Sequence, residues 1–316
     1  MSVPATPRLR GLTATVTERC NMRCSYCYVP VDRGETMAPE TLDGAVDFLL
    51  QSARGRSKAS FFFGGEPLLE PALLRRAAER LGARAPEGLE VDLGVTTNGT
   101  LLSEEVLSLC RETGMRLAVS TDGACGPSER HLRSGRDSRD RLARRVPELL
   151  SLEREGGTEV TARMTVTPTN VDRLAANVQA LARVGYRRIV YLPAYELLWD
   201  DGAIEGWRRE HERIGTWLSG VSGAGRRPPD LPVWLGVEER LLLGRPRRHC
   251  GAGTRLAAVT ADGRLVPCSR FAFPDDGAED MVLGDVWKGF DDPEALALFA
   301  SLDPAHLHPE EGECGS

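Results

Sequence analysis

The chain has 316 residues, 41% hydrophobic and 27% charged, with a formal net charge of −6. Such a composition is ordinarily globular and supports a large core. The acidic balance leaves no basic surface for nucleic acid. No run of about 18 apolar residues can span a membrane, and the N-terminus MSVPATPRLRGLTATV lacks the apolar stretch of a secretory signal. A cytoplasmic protein with reduced thiols is therefore expected, and its eight cysteines point to metal or redox chemistry more than to disulfides.

Short β-rich runs alternate with helical patterns along the chain. Strands are predicted over residues 12–17, 59–63, 89–95, 116–120, 160–166 and 188–192, and helices over 39–53, 71–81, 103–113, 139–155 and 171–184. Pro71 suits a first helical turn, and Ser103 suits an N-cap. Six strand–helix units predict an α/β fold with a parallel sheet. Six units, not eight, predict a partial barrel, whose chemistry belongs at the strand C-termini. Residues 220–232, rich in Gly, Arg and Pro, read as a linker. Beyond it, Ala261-Asp262-Gly263 signals a hairpin, and a short helix is predicted over 293–302. The expected division is a barrel at 1–220, a linker at 221–246 and a small C-terminal unit at 247–316.

The loop Cys20-Asn21-Met22-Arg23-Cys24-Ser25-Tyr26-Cys27 follows the first strand directly. A [4Fe–4S] cube normally takes four thiolates, so three leave one iron open for a small molecule to chelate. A structural zinc site would need a fourth Cys or His nearby, and this loop supplies none.

This Cys-x3-Cys-x2-Cys spacing, with Tyr26 before the last cysteine, resembles the signature of the radical S-adenosylmethionine (SAM) superfamily. Phe63-Gly64-Gly65-Glu66-Pro67 resembles its second motif. Thr97-Asn98-Gly99 and Ser120-Thr121-Asp122-Gly123 resemble strand-end motifs of its SPASM/twitch branch. The resemblance implies a partial (β/α)6 parallel barrel over about residues 12–200. It also implies a [4Fe–4S] cluster on Cys20, Cys24 and Cys27. SAM would be contacted by Tyr26, Gly64, Gly65, Glu66, Pro67, Asn98, Ser120, Asp122 and Arg133.

Cys250-x12-Gly263-x4-Cys268 resembles the opening half of the branch's auxiliary-cluster motif, with the hairpin drawing the two thiols together. The full motif continues with several cysteines, whereas only Cys314 remains here. The resemblance thus implies a shortened twitch-like hairpin–helix unit holding at most one auxiliary [4Fe–4S] cluster. Its ligands would come from Cys250, Cys268 and Cys314. The fourth would be His249, His306, His308 or substrate on an open iron. Cys110 reads as core. Cys125 lies in the loop after the 120–123 motif.

No domain precedes the first strand in this sequence, so a small-molecule substrate is expected ahead of a leader-guided peptide. Short members of the branch include tailoring enzymes of aminoglycoside pathways. An aminoglycoside is a polycation, matching the acidic balance and the strand-end carboxylates Glu18, Asp92, Asp122, Glu196, Asp200 and Asp201. The resulting expectation is a radical SAM epimerase, an isomerase that removes hydrogen from an aminosugar carbon and returns it from a thiol on the opposite face. Cys250 is the expected hydrogen donor, and its rival role is auxiliary-cluster ligand. A low-potential electron donor such as flavodoxin or ferredoxin is the expected partner. The alternatives are an aminocyclitol dehydrogenase, a peptide-modifying maturase and an iron–sulfur electron carrier. The SAM motifs argue against the carrier.

Overall fold

A computed structural model describes residues 9–30, 34–232, 251–273 and 281–301. Cys250, Cys314, His249, His306 and His308 lie outside the described residues. In chain order the elements are β1 (Leu9–Thr17), β2 (Met22–Cys24), α1 (Pro39–Ser52), β3 (Ala53–Gly64), α2 (Pro71–Arg84), β4 (Glu90–Thr97), α3 (Glu104–Thr113), β5 (Arg116–Ser120) and β6 (Arg130–Leu132). They continue with α4 (Arg139–Ala143), α5 (Val146–Gly156), β7 (Val160–Val166), α6 (Leu174–Val184), β8 (Arg188–Pro193) and α7 (Asp201–Gly223). The C-terminal part adds β9 (Leu256–Val259), β10 (Arg264–Val266), β11 (Gly284–Asp285), β12 (Gly289–Phe290) and α8 (Pro293–Ser301). The fold is α/β with a parallel sheet, and β1, β3, β4, β5, β7 and β8 are the six strands expected from the sequence. The chain partitions into two compact units, one of residues 1–20, 29–95 and 244–316, the other of residues 21–28 and 96–243.

In the first unit β1 is central, paired in parallel with β3 on one side and β9 on the other. Leu12, Ala14 and Val16 on one face and Thr15 and Thr17 on the other are all buried, the pattern of a strand covered on both faces. β3 pairs in parallel with β4, from Arg56↔Glu90 to Ala59↔Leu93. The strand begins well before the predicted residue 59, because Arg54, Arg56 and Lys58 hide it from an apolar-run reading. Leu42, Val46 and Leu49 on α1 and Leu74 and Ala77 on α2 are buried, the apolar stripes of amphipathic helices. Arg76 and Arg80 bridge the exposed sides of these helices to Asp43 and Asp47. The predicted hairpin is β9–β10, antiparallel at Leu265↔Val259 and extended by β11 and β12. Gly263 turns it at φ 93°, where a Cβ would come within 2.6 Å of the Trp287 ring.

In the second unit β5, β7 and β8 are parallel neighbours. Ser103 caps α3, accepting from the Val106 N–H at 3.4 Å. Cys110 on that helix is fully buried, as expected, and burial pushes its thiol pKa up to about 12. The single helix predicted over 139–155 is two, α4 and α5. Pro147 cannot donate to the Ala143 carbonyl four residues back, so the helix stops there and restarts.

Helix α7 is absent from the sequence expectation and carries the chain through Gly223, three residues into the region read as linker. It docks through Trp207 and His211 against the buried Tyr191, with ring centroids 6.1 and 5.5 Å away. His211 Nδ1 donates to the Trp207 carbonyl at 2.8 Å, which leaves Nε2 to accept from the Tyr191 hydroxyl at 3.2 Å. Burial lowers the His211 pKa and favours this neutral ring.

Candidate active site

Each unit carries one part of the expected site. In the second unit the cysteine loop is held as a strand. β2 pairs antiparallel with β6, setting Met22 opposite Leu132 and Cys24 opposite Arg130. Ser25 N–H donates to Glu129 O at 3.1 Å, and Cys27 N–H turns back to Cys24 O at 3.2 Å. Cys24 is half-buried and Cys27 exposed, and neither is in a disulfide. Burial raises the Cys24 pKa, and the neighbouring Arg130 charge opposes that rise.

Arg130 is the residue that the sequence reading missed. Its guanidinium donates to the Tyr26 hydroxyl at 2.7 Å, and that hydroxyl donates to Asp122 Oδ1 at 2.8 Å. Burial works against the Arg130 charge, but Tyr26, Cys24 and Asp122 outweigh it and hold the guanidinium protonated. Asp122 is 8% exposed, and burial lifts its pKa despite Arg130. Its other oxygen, Oδ2, is buried without a partner among the described residues. Buried carboxylate oxygens are normally satisfied, so Oδ2 is an acceptor waiting for a donor. Arg133, the arginine expected from sequence, is exposed, and its N–H donates to Asn21 O at 3.2 Å.

Asn98 Nδ2 donates to Asn21 Oδ1 at 2.8 Å, and Asn21 Nδ2 donates to the Thr100 hydroxyl at 2.8 Å. Asn98 Oδ1 accepts from Thr100 N–H at 2.9 Å and from its hydroxyl at 2.6 Å. This amide lattice fixes the residue that follows Cys20 in sequence. Ser120, the last residue of β5, is half-buried. After it, Gly123 has φ 81°, and a Cβ there would lie 2.4 Å from Asn177 Oδ1. The same Oδ1 accepts from Cys125 N–H at 2.7 Å, so the loop carrying this half-buried thiol is pinned to α6.

In the first unit the Gly64-Gly65-Glu66-Pro67 loop packs on the exit of β1. Gly65 N–H donates to Thr17 O at 2.8 Å, and Glu66 N–H donates to Arg19 O at 2.7 Å. A Cβ on Gly64 would lie 2.6 Å from Thr17 O, and one on Gly65 would lie 2.0 Å from Arg19 O. The close approach that needs glycine here is therefore to the backbone leading into Cys20. Glu66 is 1% exposed, with Oε1 accepting from Leu68 N–H at 3.0 Å. Pro67 is buried beside it. Cys20 itself is half-buried and in no disulfide.

Of the strand-end carboxylates, Glu18 and Asp122 are buried. Asp200 caps α7, accepting from Ala203 N–H at 2.8 Å. Glu196 and Asp201 are exposed. Cys268 follows β10, half-buried and in no disulfide. Among the described residues no three His, Cys, Asp or Glu side chains stand close enough to hold a metal ion. No described helix is long and apolar enough to cross a membrane.

The family model described as Radical SAM superfamily matches residues 14–181, more than half of the chain. GTP 3′,8-cyclase of Xanthomonas campestris pv. campestris (strain B100) is 32% identical, the match covering 64% of this chain and 58% of the relative. The serine-type anaerobic sulfatase-maturating enzyme of Klebsiella aerogenes is 28% identical over 64% of this chain and 50% of its own length. The chain thus spans between half and two thirds of these relatives. Among solved structures, native anSMEcpe with bound AdoMet and Cp18Cys peptide has a similar fold, with a TM-score of 0.73 at 18% identity. That match covers 94% of this chain and 81% of the other.

Proposed function

The chain belongs to the radical SAM superfamily, whose cofactors are a [4Fe–4S] cluster and SAM, and on that premise we propose that it is an epimerase of aminoglycoside aminosugars, of the neomycin C to neomycin B type. Cys20, Cys24 and Cys27 would hold three irons of the cube. The chemistry of the donor set fits, since three thiols lie within eight residues of sequence directly after a parallel strand. Tyr26, Glu66, Asn98, Ser120, Asp122 and Arg133, with the glycines Gly64 and Gly65 and with Pro67, form the proposed SAM surroundings. When bound, cluster and SAM supply a 5′-deoxyadenosyl radical that takes hydrogen from a substrate carbon.

This chain's own residues then have two tasks. The orphaned Asp122 Oδ2 offers an acceptor for a hydroxyl or ammonium group. A thiol returns the hydrogen atom on the opposite face, because its S–H bond is weaker than the C–H bond formed. The product carbon is inverted and the sulfur is left as a thiyl radical. One electron and one proton, delivered through a low-potential partner such as flavodoxin or ferredoxin, restore the thiol. Cys250 is the proposed donor, with Cys125 as its substitute. Cys268 and Cys314 are proposed ligands of one auxiliary [4Fe–4S] cluster, with Cys250 as a third ligand if it is not the donor.

The observation that carries this reading is a free, half-buried thiol, Cys125, outside the three-cysteine loop but on a strand-end loop pinned to α6. The acidic charge of the chain suits a polycationic substrate.

A second reading, peptide modification, is supported by the sulfatase-maturating relative. It is also supported by Tyr195, Leu198 and Ile204, which are 62%, 92% and 54% exposed after β8. An apolar rim suits a peptide better than a polycation. Anaerobic reconstitution followed by SAM turnover in D2O, with an aminoglycoside or a Cys- or Ser-containing peptide, separates the two. One deuterium at an inverted carbon supports the epimerase, and loss of two hydrogens from a peptide overturns it.

A further inference from the structure

The second unit has a cavity of about 960 Å3 at the end of its sheet away from Ser120 and Asp122. Glu159, just before β7, and Arg188, the first residue of β8, lie at its floor. Trp217 and Val221 of α7 form one wall, and the segment from Arg226 to Asp230 forms another. Six-residue β8 separates this cavity from the opposite strand end by roughly 20 Å. In parallel barrels the N-terminal face carries no chemistry, so a ligand here is separate from the radical reaction.

Three features of the cavity ask for a ligand. First, Arg183, Arg226 and Arg227 line it and form no ion pair among the described residues. By contrast, Arg188 on its floor is committed to Asp230 at 2.6 Å. Second, Tyr186 lines the cavity and is 3% exposed, yet its buried hydroxyl has no partner among the described residues. Asp230 Oδ1 is also buried without a partner. A buried donor and a buried acceptor without partners on residues that line one cavity are exceptional in a folded protein. Third, the half-buried Trp217 indole and the Pro228-Pro229 pair supply flat apolar surface between the charged groups.

Guanidinium groups and a phenol are donors suited to phosphate oxygens. Asp230 Oδ1 is an acceptor suited to a ribose hydroxyl or an exocyclic amine, and indole is a stacking surface for a base. The volume lies within the usual range of small-molecule sites, about 300–1,000 Å3. We infer that this cavity binds a nucleoside phosphate, with the phosphates on Arg183, Arg226 and Arg227 and the base against Trp217.

The test is calorimetric titration of the purified full chain with ADP, pyrophosphate and adenosine. ADP is expected to bind with saturating SAM present. The R183E/R227E double variant is expected to weaken ADP and pyrophosphate at least tenfold while 5′-deoxyadenosine formation stays unchanged. Trp217→Ala is expected to weaken ADP several-fold and leave pyrophosphate as before. Thermal melting of each variant at the wild-type temperature verifies that these exposed or half-exposed positions leave folding intact. Absence of ADP binding at millimolar concentration overturns the inference. Displacement of ADP by SAM, an R183E/R227E protein that binds ADP normally, or a Trp217→Ala protein with undiminished ADP affinity also overturns it.

Discussion

The Tyr26 hydroxyl donates to Asp122 Oδ1 at 2.8 Å across 96 residues of sequence, tying the cysteine loop to the loop that ends β5. Arg130 donates to the same hydroxyl, so one phenol joins a carboxylate, a guanidinium and the loop that carries Cys24 and Cys27. Burial also holds the phenol pKa well above its ordinary value, which keeps the proton available for Asp122.

Tyr26→Phe removes this shared hydroxyl and leaves Asp122 without its donor and Arg130 without its acceptor. Loss of a hydrogen bond to charged groups costs about 1.5–3 kcal/mol. A melting temperature lower by several degrees and weaker SAM binding are expected, with secondary structure retained by circular dichroism. An unchanged melting temperature and SAM affinity would show that the phenol organises nothing.

Gly65→Ala drives a Cβ to 2.0 Å from the Arg19 carbonyl oxygen, a backbone atom that cannot swing aside. Such a clash should destabilise the protein by about 3 kcal/mol, displace the entry to Cys20 and lower the iron content after reconstitution. Chemical denaturation and iron quantitation measure both effects.

Replacing Cys20, Cys24 or Cys27 by Ala should abolish SAM cleavage, since each replacement removes one of three proposed cluster ligands. Formation of 5′-deoxyadenosine by any of the three variants rejects the ligand assignment.

Cys250→Ala and Cys125→Ala separate hydrogen donor from ligand. If Cys250 is the donor, its Ala variant still forms 5′-deoxyadenosine with substrate, yields no epimer and keeps its auxiliary iron. If Cys250 is a ligand, auxiliary iron falls. Full epimerisation by Cys250→Ala transfers the donor role to Cys125, whose own variant should then stop product formation.

Cys110 gives a pH signature. Its folded pKa of about 12 lies above the ordinary thiol value of 9.0, so the unfolded chain loses this proton first. The resulting stability is fully present below pH 9 and is lost as pH rises from 9 towards 12. Cys110→Ala should melt lower at neutral pH and show a shallower alkaline decline. Iodoacetamide at pH 8 should leave Cys110 unlabelled in the folded protein.

By itself the sequence determined what depends on neighbours along the chain. Alternating apolar runs and helical stripes located six strands and most of their helices, Ser103 announced its cap, and Asp262-Gly263 announced the hairpin. The spacing of Cys20, Cys24 and Cys27 stated the family. Local signals failed where polar residues broke the pattern, as in the early part of β3, and where buried residues are sparse. α7 is such a case, its buried positions including Gly206 and Glu210. Tertiary structure decided which distant residues meet. Arg130, not Arg133, reaches Tyr26, because β6 pairs with β2 in the register that sets Arg130 opposite Cys24. Asn98 binds Asn21 from 77 residues away, and Gly65 presses on the Arg19 carbonyl. Strand order and register fix such contacts. A shift of one residue in β6 would turn Arg130 to the other face of its strand, and no short stretch of sequence records that choice.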